Sequence, residues 1–260
     1  FKNFPEFNDS KKIYLYEISD FLKNKQKKNI KDNQAKWIQN FKNIKKGPVI
    51  FFGNEFFDAI PIKQFLREGN LLYEKYFTIN ENFEINYKFK KATIKDSKMI
   101  KNFKSLNNLK FIEYPKLGLS ELKKILKKIL VLKGGLLLID YGYLKPNNQN
   151  TLQSVLKHKK NNILKNLGKA DVTSHVNFRL LNEFFLKNNL KVKKIVTQKE
   201  FLEKMGIIQR ADILSKKMKF SEQSDLYLRL KRLLSPSLMG NLFKVILAYN
   251  SKTKDYYGFK

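Results

Sequence analysis

The chain has 260 residues, 42% of them hydrophobic, which is enough to bury a sizeable core and excludes a disordered segment. It contains no cysteine and only two histidines, so disulfide bonds, thiolate metal sites and histidine-rich metal centres are excluded, and we expect no bound metal. No apolar run reaches the roughly 18 residues that a membrane-spanning helix requires.

The formal net charge is +30, from 53 Lys and Arg against 23 Asp and Glu. Such an excess can indicate a nucleic-acid partner. Nearly all of the basic residues are lysine, however, and the chain is also rich in Asn, Ile and Phe, all of which have AT-rich codons. Dedicated readers of nucleic acid depend on arginine for bidentate contacts. We therefore expect no nucleic-acid partner, with an RNA-binding or RNA-modifying protein kept as an alternative.

Strand and helix patterns alternate through the first half of the chain. A short apolar stretch followed by a capping serine predicts a strand and then a helix. Further on, apolar and polar residues alternate on either side of an Asn-Glu-Asn turn, which predicts a β-hairpin. The predicted elements are a strand over residues 12–16, a helix over Asp20–Asn29 capped by Ser19, strands over Ala35–Ile38 and 49–52, and a hairpin over 71–89.

The second half continues the alternation, and its clearest element is a helix with lysines on one face and aliphatic residues on the other. We predict that this helix begins at Ser120 and stops at Gly134-Gly135. The later predicted elements are a strand over 136–139, a helix over 182–189, a strand over 191–197, short helices over 198–205 and 211–217, and a strand over 243–249. Such alternation predicts an α/β fold with a mostly parallel sheet. We expect one domain over 1–260 with a hairpin insertion at about 70–115.

Polar residues follow the buried strand at 49–52 directly: Asn54 and Glu55, then Asp58. Open α/β sheets place their ligand crevice at such strand ends. The two carboxylates could hold a guanidinium or an ammonium group, or act as a base. A metal site lacks a third convincing ligand. The alternative is structural, with Asp58 capping a helix and Glu55 solvated.

Three other positions are candidates for chemistry. Glu17 ends the first predicted strand, where an acid commonly binds ribose hydroxyls, although a helix start also favours a surface glutamate. Asp140 and Tyr141 come at the end of another strand. Asp171 and His175 share a polar segment and could do acid–base work, although a lone histidine is more often structural. The chain has no GxGxxG or GxxxxGK[ST] phosphate loop.

Several motifs occur in an order that resembles the MidA-like methyltransferases, the family of the mitochondrial complex I assembly arginine methyltransferase and its bacterial relatives. The resemblance covers almost the whole chain. The motifs are Asn54-Glu55-x-x-Asp58-Ala59-x-Pro61, Asp140-Tyr141-Gly142, Thr151-Leu152 with His158, Gly168-x-Ala170-Asp171-x-Thr173-x-His175-Val176-x-Phe178, Thr197-Gln198-x-x-Phe201-Leu202 and Met239-Gly240-x-x-Phe243-Lys244.

The resemblance implies a Rossmann-like class I methyltransferase sheet, with helices on both faces, that binds S-adenosylmethionine. It implies an enzyme that methylates arginine on a protein partner, a respiratory complex I subunit or its bacterial counterpart. An assembly chaperone without turnover is the alternative. The implied residues are Glu17, Ile18 and Asn54 for the cofactor, Glu55, Asp58, Asp171 and His175 for catalysis, and Asp140, Tyr141 and His158 for the substrate.

One departure from the family pattern lies at the start of the sequence. The family carries a glycine-rich loop after its first strand, whereas no glycine precedes Lys12 here. We therefore expect the first strand and the glycine loop to be absent and the chain to be a fragment of a longer protein. The absence of cysteine and of a signal peptide pattern favours a bacterial cytoplasm, with the mitochondrial matrix as the alternative.

Overall fold

The computed structural model describes residues 4–30, 35–82, 84–145, 148–157, 159–253 and 256–259. The chain divides into two compact units, Phe1–Gly47 and Pro48–Lys260. The single domain predicted over 1–260 stays a prediction. None of the described helices is long and apolar enough to cross a bilayer.

The first unit is built around two short parallel strands. Its elements are α1 (Pro5–Ser10), β1 (Ile13–Tyr16), α2 (Asp20–Asn29), β2 (Ala35–Ile38) and a 3₁₀ turn (Phe41–Asn43). Strand β1 pairs with β2, with Ile13 opposite Ala35. The Ser19 side chain accepts a hydrogen bond from the Leu22 N–H, so the predicted N-cap of α2 is confirmed.

The second unit holds the remaining elements in a mixed α/β order. In chain order they are β3 (Val49–Asn54), β4 (Lys63–Glu68), β5 (Leu71–Ile79), β6 (Ile85–Lys91), α3 (Ile94–Lys101), a 3₁₀ turn (Lys104–Leu106), β7 (Phe111–Tyr114), α4 (Lys116–Leu132), β8 (Gly134–Tyr143), β9 (Gln153–Leu156), β10 (Lys159–Asn161), β11 (Asp171–Thr173), β12 (Val176–Asn177), α5 (Phe178–Lys187), β13 (Lys191–Val192), β14 (Val196–Thr197), α6 (Gln198–Lys204), α7 (Ile207–Ser215), α8 (Phe220–Leu234), α9 (Met239–Leu242) and β15 (Phe243–Asn250).

The main sheet of this unit is organised around β8, which is the longest described strand. Leu136 and Leu138, and on the alternate face Ile139, are all buried, so both faces of β8 are covered. Helices α4, α5 and α6 pack against the sheet. The predicted α/β fold with helices on both faces is therefore confirmed.

The directions of the strands differ from the prediction of a mostly parallel sheet. Strands β3 and β12 run parallel to β8, but β15 runs antiparallel to it, and β13 and β14 pair antiparallel with β15. Strand β15 contains the continuous apolar run Val245–Ala248, which is also typical of a buried parallel strand. Hydrophobicity alone therefore could not reveal its direction.

A four-stranded antiparallel sheet, in the order β6-β5-β4-β7, contains the predicted hairpin. Lys63 of β4 and Glu74 of β5 join an ion cluster around Asp96 of α3, which is 1% exposed. Lys63 and Lys116 approach its carboxylate at 3.0 and 2.6 Å, and Lys63 also lies 2.8 Å from Glu74. Burial alone would raise the pKa of Asp96, but the hydrogen bonds and charges of Lys116 and Lys63 hold it below its usual value.

Several boundaries differ from the predicted ones. Helix α4 begins at Lys116, four residues before Ser120, and α5 begins at Phe178 because Asn177 caps it. Helix α8 was not predicted, since Leu230 is its one buried residue. Strand β8 continues to Tyr143, so the Asp-Tyr-Gly motif lies inside the strand rather than after it.

Candidate functional site

The backbone turns sharply at Glu55, directly after β3. This residue has φ +47°, a left-handed conformation that costs a non-glycine residue about 1–2 kcal/mol. Its N–H donates to the Ile139 carbonyl at 3.0 Å, which ties the turn to β8. The side chains of Asn54 and Glu55 are both exposed and lie 3.4 Å apart, from Nδ2 to Oε1. Backbone strain of this kind is concentrated at functional sites in folded proteins.

Asp140 holds the loop that follows this turn. It is 2% exposed, and its Oδ2 accepts hydrogen bonds from the backbone N–H groups of Phe57 at 2.8 Å and Asp58 at 3.3 Å. Its Oδ1 accepts from the Tyr141 N–H at 2.9 Å. Burial, together with the nearby Asp58 charge, raises the pKa of Asp140 to about 7 despite these hydrogen bonds. The hydrogen bonds describe a positioning role, while the predicted contact with substrate stays a prediction.

Tyr141, the next residue on β8, holds the side chain of Asp58 in the same loop. The Tyr141 hydroxyl donates to Asp58 Oδ2 at 2.5 Å. Burial and this hydrogen bond raise the pKa of Tyr141, so the phenol keeps its proton at neutral pH and remains the donor. Asp58 is only 5% exposed, and its Oδ1 has no hydrogen-bond partner among the described residues. The site therefore contains a buried carboxylate oxygen with unused accepting capacity.

Gly142 allows a second segment to reach this loop. A Cβ at this position would lie 2.1 Å from the Val176 carbonyl oxygen, so any side chain would separate β8 from β12. The close approach brings residues 173–176 beside the loop, and the Ser174 N–H donates to the Asp58 carbonyl at 3.1 Å. The close packing of β8 against β12 therefore explains why the third residue of the Asp-Tyr-Gly motif is glycine.

His175 also belongs to this segment, and its imidazole lies edge-on to Tyr141 with ring centroids 5.4 Å apart. Its backbone N–H donates to Thr151 Oγ1 at 3.0 Å, and that hydroxyl donates to Glu113 Oε2 at 2.5 Å. Burial lowers the pKa of His175, with Glu113 opposing the shift, so the ring is neutral at pH 7 and can accept a proton.

The predicted pairing of Asp171 with His175 is not assembled. Asp171 is exposed on β11, and within the described part of the chain no hydrogen bond joins it to His175. The carboxylate that approaches the histidine through Thr151 is Glu113, which sequence reasoning missed. Its one signal was a charged residue inside the otherwise apolar run of β7. His158, predicted to contact substrate, lies outside the described residues.

Two of the predicted cofactor residues, Glu17 and Ile18, directly follow β1 in the first unit. Glu17 Oε1 accepts from the Ser19 N–H at 2.8 Å, and Oε2 accepts from Gln26 Nε2 at 3.2 Å. A carboxylate has about four accepting positions, so it retains capacity for the two hydroxyls of a ribose. Ile18 beside it is 75% exposed and offers an apolar surface for a purine ring.

Comparison with known proteins gives one family match. Residues 1–196 match the model of a family described as "Putative S-adenosyl-L-methionine-dependent methyltransferase". A Caenorhabditis elegans protein, "Protein arginine methyltransferase NDUFAF7 homolog, mitochondrial", is 27% identical over 229 residues, which cover 79% of this chain and 53% of that protein. The Danio rerio protein arginine methyltransferase NDUFAF7 is 26% identical over 218 residues, 83% of this chain and 50% of that protein. The chain spans about half the length of these relatives.

Two crystal structures from Burkholderia thailandensis share the fold. One, of an uncharacterized protein, superposes with a TM-score of 0.76 at 17% identity. The match covers 96% of this chain and 67% of that protein's chain. The other, bound to S-adenosyl-homocysteine, superposes with a TM-score of 0.74 at 18% identity. Here the match covers 96% of this chain and 65% of the other protein's chain. At this identity the likeness concerns the fold alone.

Proposed function

Because this chain belongs to the MidA-like family of S-adenosylmethionine-dependent methyltransferases, we propose that it takes part in transfer of a methyl group to an arginine side chain of a protein partner. The predicted family and its cofactor are confirmed. Arginine as the acceptor is supported by the names of the relatives. The partner that the family resemblance suggests is a respiratory complex I subunit or its bacterial counterpart.

The observation that carries the proposal is the pair of carboxylates on the loop after β3. Glu55 is exposed on a strained turn, and Asp58 has a buried oxygen without a partner among the described residues. A guanidinium presents N–H donors in a planar fork that matches carboxylates. These two residues therefore suit an arginine better than a neutral acceptor.

When bound, S-adenosylmethionine supplies a methyl group on a positively charged sulfur, which is already a reactive electrophile. Glu17 and Ile18 of the first unit would hold its ribose and adenine. The task left to the protein is mainly to position the acceptor. Glu55 and Asp58 would accept hydrogen bonds from two guanidinium nitrogens and so direct the remaining nitrogen towards the methyl carbon.

Methylation of an arginine nitrogen would require that nitrogen to lose one proton. His175, neutral at pH 7, is our candidate to accept this proton. Tyr141 and Asp140 would keep Asp58 and its loop in place throughout, since one binds the side chain and the other the backbone. For Asp171, exposed on β11, we propose a part in shaping the entry for substrate.

The test compares two glutamate variants with a library of short synthetic peptides that contain one arginine each. Glu55→Gln removes the charge at the turn, and we expect methyl transfer to fall about 100-fold or more, as for other lost charge-stabilising contacts. Glu68→Gln is the control, because Glu68 is also exposed but lies at the end of β4. Circular dichroism and calorimetric titration of S-adenosylmethionine should match wild type in both variants. Near-normal transfer by Glu55→Gln would remove Glu55 from the mechanism.

A further inference from the structure

A cavity of about 550 Å³ opens beside the candidate site, and its walls are mostly apolar. One wall is the chain from Asp58 to Ile62, which directly continues the loop that carries Glu55. The opposite walls come from the β5–β6 hairpin and from the segments around β9 and β11. Its described lining residues are Asp58, Ala59, Ile60, Pro61, Ile62, Phe77, Thr78, Ile79, Ile85, Leu152, Ile163, Leu164, Leu167, Val172, Thr173 and Ser174.

The charge of this lining is unusual for the chain. Of 260 residues 53 are Lys or Arg, yet among the described lining residues none is basic and Asp58 is the one charged side chain. No lysine is among the described lining residues, although Lys75 Nζ lies 5.4 Å from the centroid of the Phe77 ring. Among the described lining residues an anionic group would find no positive partner, whereas apolar groups attached to a cationic residue would be accepted.

The rim of the cavity is exposed apolar surface. Ile79 is 68% exposed, Leu167 65%, Phe77 45% and Val172 45%. The hairpin extends this surface, because Phe77 pairs across the strands with Tyr87, which is itself 60% exposed. A contiguous exposed apolar patch on a folded protein commonly marks a binding surface.

We infer that this cavity binds a large apolar side chain of the protein substrate, close in sequence to the arginine that is methylated. The inference rests on the proposed function for the identity of that arginine. The occupant is a polypeptide segment because Asp58, one of the two carboxylates proposed to hold the arginine, also lines the cavity. A segment whose arginine lies at Glu55 and Asp58 therefore passes the mouth of the cavity. Its apolar residue fills the cavity while the cationic residue meets the carboxylates.

The experiment uses fluorescein-labelled peptides with a single arginine and one pair of variable residues at successive distances on either side. Each leucine peptide has a glutamine counterpart of the same length and charge. We expect at least one spacing at which the leucine peptide binds about 10-fold or more tightly by fluorescence anisotropy, since burying one leucine contributes that much. Equal affinities of all leucine and glutamine counterparts would overturn the inference.

Two pairs of matched variants locate the binding. Leu167→Lys and Ile79→Lys place a charge on the rim, and both should abolish the preference for leucine. Leu228→Lys and Ile213→Lys are the controls, because these residues are 64% and 65% exposed but lie on α8 and α7. The preference should persist in both controls. A preference that survives the rim variants, or disappears equally in the controls, would place the binding elsewhere and contradict the inference.

Methyl transfer to the same peptides separates this inference from the proposed function. Leucine-dependent binding without any transfer would uphold the cavity and reject the methyltransferase proposal for this chain. Transfer to arginine that is indifferent to leucine at every spacing would uphold the enzyme and reject the cavity as a substrate subsite.

Discussion

The hydroxyl of Tyr141 donates a hydrogen bond to Asp58 Oδ2 at 2.5 Å, although the two residues are 83 positions apart in the chain. Its neighbour Asp140 binds the backbone N–H groups of Phe57 and Asp58. Two consecutive residues of β8 thus fix both the side chain and the backbone of the loop after β3. The position of the buried carboxylate is therefore set by β8 as well as by its own strand.

Removing the phenol hydroxyl should misplace this carboxylate. Tyr141→Phe leaves both oxygens of Asp58 without a described partner, which should lower the free energy of unfolding by about 2 kcal/mol. We expect kcat for methyl transfer to fall about 10-fold or more, while the affinity for S-adenosylmethionine is kept. Steady-state kinetics and urea denaturation measure the two effects.

Tyr143→Phe is the matched control for this change. Tyr143 lies on the same strand, and its hydroxyl interacts with Asn177 instead of Asp58. The control should lose stability without a selective loss of kcat. Equal losses of kcat in both variants would mean that the hydrogen bond to Asp58 has no special part in the reaction.

Asp140 should make stability depend on pH. Its pKa is raised from 3.8 to about 7 in the folded protein, so the folded state binds the proton more tightly than the unfolded state. Its contribution is therefore most favourable below pH 4 and is lost as the pH rises to about 7. Asp140→Asn keeps an acceptor for the loop but cannot titrate.

As the pH rises from 5 to 8, the free energy of unfolding of Asp140→Asn minus that of wild type should increase by on the order of 3 kcal/mol. Urea denaturation of both proteins at the two pH values measures this change. A stability difference that is the same at both pH values would contradict the raised pKa.

The left-handed conformation of Glu55 should lower thermal stability, while its side chain is needed for methyl transfer. Glu55→Gly removes the side chain from a left-handed conformation, so thermal stability should be equal to or higher than that of wild type while methyl transfer is lost. Lys157→Gly is the control, because Lys157 has φ +49° in the turn after β9. It should give the same effect on stability with full activity. Marked destabilisation by Glu55→Gly alone would show that its side chain stabilises the fold.

The ion cluster around Asp96 should stabilise the fold by linking α3 and α4 to the four-stranded sheet. Asp96→Asn leaves Lys116 without this partner and Lys63 with Glu74 alone, and we expect a loss of about 3 kcal/mol in the free energy of unfolding. Glu203→Gln, which removes an exposed pair with Lys199 at 3.9 Å, should cost less than about 0.5 kcal/mol. Similar losses in guanidinium denaturation would contradict the assigned importance of burial.

The features that sequence reasoning predicted correctly are local ones. The apolar run of β3 and the polar residues after it stand together in the chain, as do Ser19 and the helix α2 that it caps. The hairpin followed from alternation and a turn within twenty residues. In each case the pattern and the structure occupy the same short segment, so periodicity was sufficient.

The features that it missed depend on contacts between distant segments. Glu113 reaches Thr151 across 38 positions, and Thr151 reaches His175 across another 24, so no local pattern joins them. The predicted Asp171–His175 pair relied on proximity in sequence, but β11 is exposed while His175 packs against Tyr141. The antiparallel direction of β15 is likewise a matter of pairing with β8.

The most direct test of the central claim is mass spectrometry of the peptide library after incubation with S-adenosylmethionine and the protein. Each arginine peptide is compared with a counterpart that carries lysine at the same position, and a structured RNA is included in the same reaction. We predict a gain of one or more methyl groups on arginine, none on lysine or RNA, and no gain with Glu55→Gln. Methylation of lysine or RNA, or no methylation of any peptide, would contradict the account.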